Sequence, residues 1–198
     1  MKTVLYIKAN PKPDNVSRTF QISEKFIESY KKKNPADNII TLDLYKENIA
    51  FLNSGQVAGH AAGTDENDIM IKYAKQFALA DKYVFAAPLW NLGLPSILKA
   101  YIDYITVKGF SFKYTGQGPV GLLGGRKAVF ITTRGGFYSI PPMSEFEMGE
   151  RYLKTILAFY GISDYALINA DGLDVIGQDI EKIVRETADK AVELAENF

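Results

Sequence analysis

The sequence predicts an α/β fold: a doubly wound, five-stranded parallel sheet with helices on both faces. Three observations predict it. Five short apolar runs, rich in aromatic and β-branched residues, recur at 3–8, 38–44, 83–87, 126–133 and 164–170. Near-continuous apolar runs of this length mark strands buried on both faces. Segments with apolar residues at i, i+3 and i+4 spacing separate them. This regular alternation is that of βα units, whose right-handed crossovers leave few topologies. With 198 residues and no internal repeat, low-complexity tract or linker, the chain reads as one domain, 1–198.

The elements follow in order. TVLYIK, 3–8, is the first strand. Pro11 and Pro13 make 10–16 a loop, since proline neither donates to a ladder nor continues a helix. Ser17-Arg18-Thr19 opens a helix to about Lys33. Ile22, Phe26 and Tyr30 form its stripe, and Lys31 to Lys33 oppose the negative end of its dipole. Ile39, Ile40, Leu42 and Leu44 carry the second strand. Residues 45–64, with Gly55, Gly59 and Gly63, read as a mobile loop or short helices. Asp65 to Ala80 reads as a helix with Ile69, Tyr73 and Phe77 on one face. Tyr83 to Ala87 is the central strand, ended by Pro88, and Ile97, Leu98, Tyr101, Ile102 and Ile105 form the stripe of the helix after it. Phe110, Phe112 and Tyr114 alternate with Ser111 and Lys113, a short extended excursion within 110–125. Arg126 to Thr133 is the fourth core strand. Ser144 to Glu147 has capping-box spacing and predicts the start of a helix to Tyr160, stopped by Gly161. Asp164 to Ala170 is the fifth strand, and Ile180, Val184, Ala188, Ala191 and Ala195 form the buried face of the last helix.

Composition narrows the chemistry. Lys plus Arg and Asp plus Glu are both 23, a balance that argues against nucleic-acid or anionic-membrane binding. The absence of cysteine excludes thiolate catalysis, iron–sulfur clusters and cysteine-based zinc sites. One histidine, His60, leaves little room for a metal centre or a histidine triad. No basic-then-apolar leader pattern opens the chain and no apolar run is long enough to span a bilayer, so the expectation is a cytoplasmic protein.

A flavodoxin-like strand order, 2-1-3-4-5, places its switch point between the first and third strands, where such sheets bind ligands. Three loops then meet at one crevice. Ser17, Arg18 and Thr19 bring two hydroxyls and a cation to a helix N-terminus, which suits a terminal phosphate; the alternative is that Ser17 merely caps the helix. Asn10 either ties this loop or touches the ligand. Leu89-Trp90-Asn91-Leu92 is too apolar for turn filler and reads as a shelf for a flavin ring; the alternatives are a dimer contact, which is compatible with it, or Trp90 in the core. Arg134-Gly135-Gly136 brings backbone N–H groups close to a ligand without Cβ obstruction, although a tight strand-to-helix turn explains the glycines as well. Three patterns are set aside. Gly116 to Gly121 matches G-x-G-x-x-G but does not lie between a strand and a helix, so it reads as a loop. His60 sits among small residues and reads as exposed. Asp171 and Asp174 around Gly172 read as a solvated turn.

Taken together, VLYIKAN, Ser17 with Thr19, LDLYKE at 42–47, APLWN at 87–91, LKAYIDYI at 98–105, FKYTGQGPVGLL at 112–123 and TRGGFYS at 133–139 resemble the FMN-dependent NADH-azoreductases, also described as NADH–quinone oxidoreductases of flavodoxin-like fold. The resemblance runs over nearly the whole chain. Many members have Met and Phe where this chain has Leu89 and Leu92, and some have Ser or His near Asn10, departures that bear on flavin affinity and substrate choice.

The resemblance implies bound FMN, a homodimer with two FMN sites at its interface, and a ping-pong cycle. In that cycle NADH passes hydride to flavin N5, and a quinone or azo compound then takes its place; azo cleavage needs two turns. NADH rather than NADPH rests on the family alone. The implied cofactor residues are Asn10, Ser17, Arg18 and Thr19 toward the phosphate, Pro88, Leu89, Trp90, Asn91 and Leu92 along the ring, and Thr133, Arg134, Gly135 and Gly136 at its polar edge. Tyr114, Phe137 and Tyr138 are expected to wall the acceptor pocket, since aromatic walls suit flat acceptors. Chemistry carried by a flavin needs no protein nucleophile, consistent with the missing cysteine. The rival readings are a flavodoxin-type FMN electron carrier without NADH oxidation and a flavin-free α/β interaction protein.

Overall fold

A computed structural model describes residues 1–57 and 68–198. Its core is a parallel sheet of β1 (Thr3–Lys8), β2 (Asn38–Asp43), β3 (Lys82–Ala86), β6 (Lys127–Thr133) and β7 (Asp164–Ala170). The order is β2-β1-β3-β6-β7, the predicted 2-1-3-4-5 among the core strands. Every neighbouring pair is parallel, Leu5 facing Ile40 on one side and Tyr83 on the other.

The strand alternation builds two cores. Leu5, Ile7, Tyr83, Phe85, Ala128 and Phe130 point to a face covered by α2 (Ile69–Leu79), α3 (Ser96–Ile105) and α4 (Gly149–Phe159). Val4, Tyr6, Val84, Ala86, Val129 and Ile131 point to the face covered by α1 (Arg18–Lys33) and α5 (Ile180–Ala195). Successive side chains of a strand lie on opposite faces, so a strand apolar throughout must be covered twice.

The helices begin where local chemistry satisfies their free N–H groups. Ser17 caps α1, accepting from Phe20 N at 3.2 Å; Asp68 caps α2, accepting from Met70 N at 2.9 Å; Asp179 caps α5, accepting from Lys182 N at 3.0 Å. The helix expected from Asp65 thus starts at Ile69, after its cap. Asp65 itself, with Gly59, His60 and Gly63, lies outside the described residues, while residues 54–57 around Gly55 are helical.

Two expectations are corrected. The 110–125 excursion is a hairpin, β4 (Phe112–Thr115) with β5 (Gly118–Gly121), so Gly116–Gly121 is a turn and a strand rather than a loop. Thr115 stabilises the turn, donating to Gly118 O at 2.7 Å and accepting from Gln117 N at 3.2 Å. The helix expected at Ser144 is a 3-10 turn, Met143–Phe146, and α4 begins only at Gly149. Glu147 sets that start, its carboxylate accepting from Glu150 N at 3.0 and 3.1 Å and from Arg151 N at 3.4 Å. An anion at this helix end also opposes the dipole.

Candidate functional site

At the carboxyl ends of β1, β3, β6 and β7 lies a crevice of about 360 Å³. Asn10, Lys12, Val16, Arg18 and Thr19 line it from the first loop, Pro88, Leu89 and Trp90 from the second, Thr133, Arg134 and Gly135 from the third, and Leu173 and Asp174 from the fourth. A groove of about 780 Å³ between α1 and α5 shares Val16 and Arg18 with it. The groove lies along the helices, whereas the crevice lies at the switch point and holds unpaired backbone donors, so the crevice is the candidate site.

The first loop is held from below. Lys8, at the end of β1, is buried, its ammonium 2.7 Å from Asp14 and 2.8 Å from Glu24, and 4.3 Å from the centre of the Phe20 ring. Burial, and then the Glu24 charge, push the Tyr6 phenol well above its ordinary pKa, so it stays a neutral hydroxyl beside Ser23 and Glu24. Asn10 donates to Ser17 Oγ at 3.0 Å and accepts from Lys12 N at 3.0 Å. Ser17 Oγ therefore accepts twice, from Asn10 and from Phe20, which leaves its proton free to donate. Arg18 and Thr19 hold the first two helical positions, whose N–H groups have no intrahelical partner. The Thr19 hydroxyl is 2.6 Å from that of Thr133, joining the first loop to β6. The Arg18 guanidinium donates to Leu173 O at 2.9 Å and to Asp174 at 3.2 Å. Ser17 is the helix cap, and the same geometry leaves its hydroxyl proton and the Arg18 and Thr19 N–H groups available to an anion.

The second loop is a tight turn of mirror-image hand. Trp90 N donates to Gly93 O at 3.0 Å and Gly93 N to Trp90 O at 2.9 Å. Asn91 and Leu92 between them have φ of 49° and 67°. Asparagine tolerates this region; for leucine it is a strained conformation, costing about 1–3 kcal/mol and kept only where the surroundings enforce it. Here Met148 N donates to Leu92 O at 2.9 Å, and a Cβ on Gly149 would stand 3.0 Å from Leu89 Cδ1. The turn holds Trp90 and Leu92 partly in solvent beside the crevice.

The third loop offers donors. Arg134 N is used, bonding Ala170 O at 2.8 Å. Among the described residues the N–H groups of Gly135 and Gly136 have no partner, while Gly135 O accepts from Asp174 N at 3.0 Å and Gly136 O from Gly172 N at 3.0 Å. A Cβ on Gly135 would stand 2.5 Å from Asp174 Oδ2, so a larger residue there would push the Asp174 carboxylate aside.

Of the expected cofactor residues, the crevice gathers Asn10, Arg18, Thr19, Pro88, Leu89, Trp90, Thr133, Arg134 and Gly135. Ser17 stands behind Asn10, Asn91 and Leu92 complete the turn, and Gly136 follows Gly135. The Arg134 side chain is 2% exposed, its Nη atoms paired with Glu147 and Asp171, both at 3.5 Å, while its buried Nε has no partner. Asp171 is correspondingly a partly buried ion-pair partner rather than a solvated turn residue. The three expected acceptor residues lie outside this crevice. Phe137 packs on Gly172, where a Cβ would meet its ring at 2.6 Å. Tyr138 lines a small cavity with Arg134, Glu147 and Arg151. Tyr114 is 65% exposed on the hairpin, edge-on to Phe112, which packs against Phe159. Sequence reasoning missed Lys12, Val16, Leu173 and Asp174. The position of the fifth strand beside the fourth was the available signal for the last two, since its loop opens at the same end of the sheet.

The donor set fits FMN: a proton-bearing hydroxyl, two helix N–H groups and a cation at one end for a phosphate, an apolar shelf in the middle, and two glycine N–H groups for ring carbonyls. Residues 2–195 match the family described as having a flavodoxin-like fold. An FMN-dependent NADH:quinone oxidoreductase of Caldicellulosiruptor saccharolyticus is 57% identical, and one of Clostridium acetobutylicum 56%, each over the full length of both chains. Among solved structures, an azoreductase from Bacillus anthracis superposes with a TM-score of 0.92 at 35% identity, covering all of both chains. An FMN-dependent NADH-azoreductase of the same species, in complex with FMN, superposes with a TM-score of 0.90 at 30% identity, covering 100% of this chain and 99% of that one. The chain belongs to the flavodoxin-like fold family and, within it, to the FMN-dependent NADH:quinone oxidoreductases.

Proposed function

We propose that this protein binds FMN in the crevice and uses it to reduce quinones, and azo compounds, at the expense of NADH. The observation that carries the reading is the pairing of unused donors at the two ends of one crevice. Ser17 Oγ with the N–H groups of Arg18 and Thr19 meets the phosphate, and Gly135 N with Gly136 N meets the polar edge of the ring. FMN bound there supplies a two-electron carrier between NADH and acceptor. The chain's own part is to hold and cover that carrier. Pro88, Leu89 and Trp90 exclude water from one side of it, with Asn91 and Leu92 completing the turn, and the Thr19–Thr133 bond fixes the spacing between the phosphate and edge loops.

The same reading includes a homodimer. Trp90, Leu92, Ile140, Met143, Phe146 and Met148 are exposed apolar side chains on two loops joined by the Met148–Leu92 bond, and an apolar face of this kind marks an interaction surface. Tyr114, away from the crevice of its own chain, then serves the crevice of the partner, with Phe137 and Tyr138 at the rim. The same reading includes a cytoplasmic location, where NADH is at hand; among the described residues no helix is long and apolar enough to cross a membrane.

The test is an absorbance spectrum after FMN loading and desalting, followed by anaerobic NADH and then a quinone. Retained flavin that bleaches with NADH and recovers with quinone is the expected result. Retained flavin that NADH leaves oxidised identifies an electron carrier, and protein that loses its flavin on desalting removes the reading.

A further inference from the structure

We infer that Arg134 is a positioning residue, and that its buried pair with Glu147 sets the place of the ring shelf relative to the glycine edge loop. The inference rests on the reading that the crevice holds a flavin.

The guanidinium is the hub of a buried polar cluster. Nη2 lies 3.5 Å from Glu147 Oε1 and Nη1 lies 3.5 Å from Asp171 Oδ1, with the Arg134 and Glu147 side chains 2% and 5% exposed. Nη1 also donates to Ser139 Oγ at 3.4 Å, and Ser139 N donates to Asp171 Oδ2 at 2.8 Å. Glu147 passes the constraint on. Its carboxylate caps α4, and the residue after it, Met148, donates to the carbonyl of Leu92. Leu92 is the residue held at φ 67°, a conformation that leucine leaves when its restraint is removed. One side chain thus joins the loop that carries Gly135 and Gly136 to the loop that carries Leu89 and Trp90. A buried pair of opposite charges is poor evidence of stabilisation but a strong geometric constraint, because neither partner can move off and stay buried alone.

The chain carries its own reporter. Its single tryptophan is Trp90, in the shelf turn, so emission from the flavin-free protein reports the shelf directly.

Two variants separate the possibilities. Glu147→Gln keeps an oxygen for the Glu150 N–H while removing the charge that holds Arg134. The double variant Arg134→Met with Glu147→Gln removes both charges of that pair, and Asp171 keeps the Ser139 N–H and the Asn169 amide as donors. The readouts are Trp90 emission and acrylamide quenching without flavin, and the affinities for FMN and for riboflavin, which lacks the phosphate. The expected result is a changed Trp90 signal in both variants. FMN and riboflavin affinities should fall together by roughly tenfold, about the loss of one ring hydrogen bond, at a temperature where circular dichroism shows native structure. An unchanged Trp90 signal overturns the inference. Unchanged affinities for Glu147→Gln overturn it as well, since Arg134 would then act on the flavin directly or not at all. Loss of FMN with riboflavin unaffected overturns it by moving Arg134 to the phosphate. If wild-type protein binds neither flavin, the flavin reading fails, while the Trp90 signal still decides whether the pair positions the shelf.

Discussion

Thr19 and Thr133 show what single residues contribute and how far they are readable. Their hydroxyls meet at 2.6 Å in a buried setting, so removing one leaves the other without its partner. Thr133→Val should cost about 1–3 kcal/mol by urea unfolding. In a double-mutant cycle with Thr19→Val the second substitution should cost less than the first; additive effects would show that the bond contributes nothing. Both residues were visible in the sequence as candidates, because a hydroxyl after a strand or at a helix start has few purposes other than caps and ligands. Arg134 was visible too, for the backbone of its loop, while the task of its side chain was not. Residue type and position reveal a cation at the end of a strand; whether its side chain turns toward a ligand or inward depends on Glu147 and Asp171, which are 13 and 37 positions away and were not recognisable as its partners. Lys8 is the same kind of case, a lysine at the end of an apolar strand that is buried because Asp14 and Glu24 converge on it.

Elements were read well where periodicity speaks and less well where two starts compete. The five core strands and the helices on the described residues stand where the apolar patterns placed them, within a few residues at their ends, apart from the helix expected from Ser144. Ser144 lost to Glu147 because a tertiary ion pair holds the second carboxylate in place, a fact with no local signature. The hairpin β4–β5 was legible as extended chain, and its docking was not. Gly121 lies so close to α4 that a Cβ would stand 2.2 Å from the Tyr160 carbonyl carbon, and backbone cannot rotate aside. Gly121→Ala should therefore destabilise by about 1–3 kcal/mol in thermal unfolding, whereas Gly116→Ala, with open space around it, should leave the melting temperature within a degree or so of the starting protein, as surface changes usually do. The start of β1 carries a pH dependence. Asp37 has its carboxyl pKa lowered first by the Tyr30 hydroxyl and then by Lys2 N, and Asp81 first by Thr3 N. A carboxylate whose folded pKa is depressed adds stability that is present above its unfolded value and is lost as pH falls through the folded one. Stability should decline on acidification below the usual carboxylate range, and Asp37→Asn with Asp81→Asn should flatten that part of the curve; an unchanged slope would remove these two groups as its source.

At the scale of the whole molecule the sequence conveyed a topology and the general location of a site, but not the full boundary of that site. Tyr114 is exposed on the hairpin, outside the crevice of its own chain, so its expected role depends on the proposed homodimer, and the exposed apolar surface proposed for that contact looks, in sequence, like ordinary loop residues with a few misplaced aliphatics. Light scattering should give about twice the 22.0 kDa chain mass, and Ile140→Asp should shift the protein toward monomer and weaken flavin retention with it; a monomer that retains flavin as tightly would separate assembly from the site. The position of β1 also has a consequence for the order of events during synthesis. It leaves the ribosome before the other strands of its sheet, yet it is an interior strand, bonded to β2 on one side and to β3 on the other. The nascent chain can zip β1 to β2 once residue 43 has emerged, but the other edge stays open until β3 follows, a delay of a few seconds at ~5–20 residues per second. During that interval the emerging chain exposes an unpaired row of backbone groups on a strand with no charged residue before Lys8, the feature that trigger-type chaperones and unwanted neighbours alike would meet first.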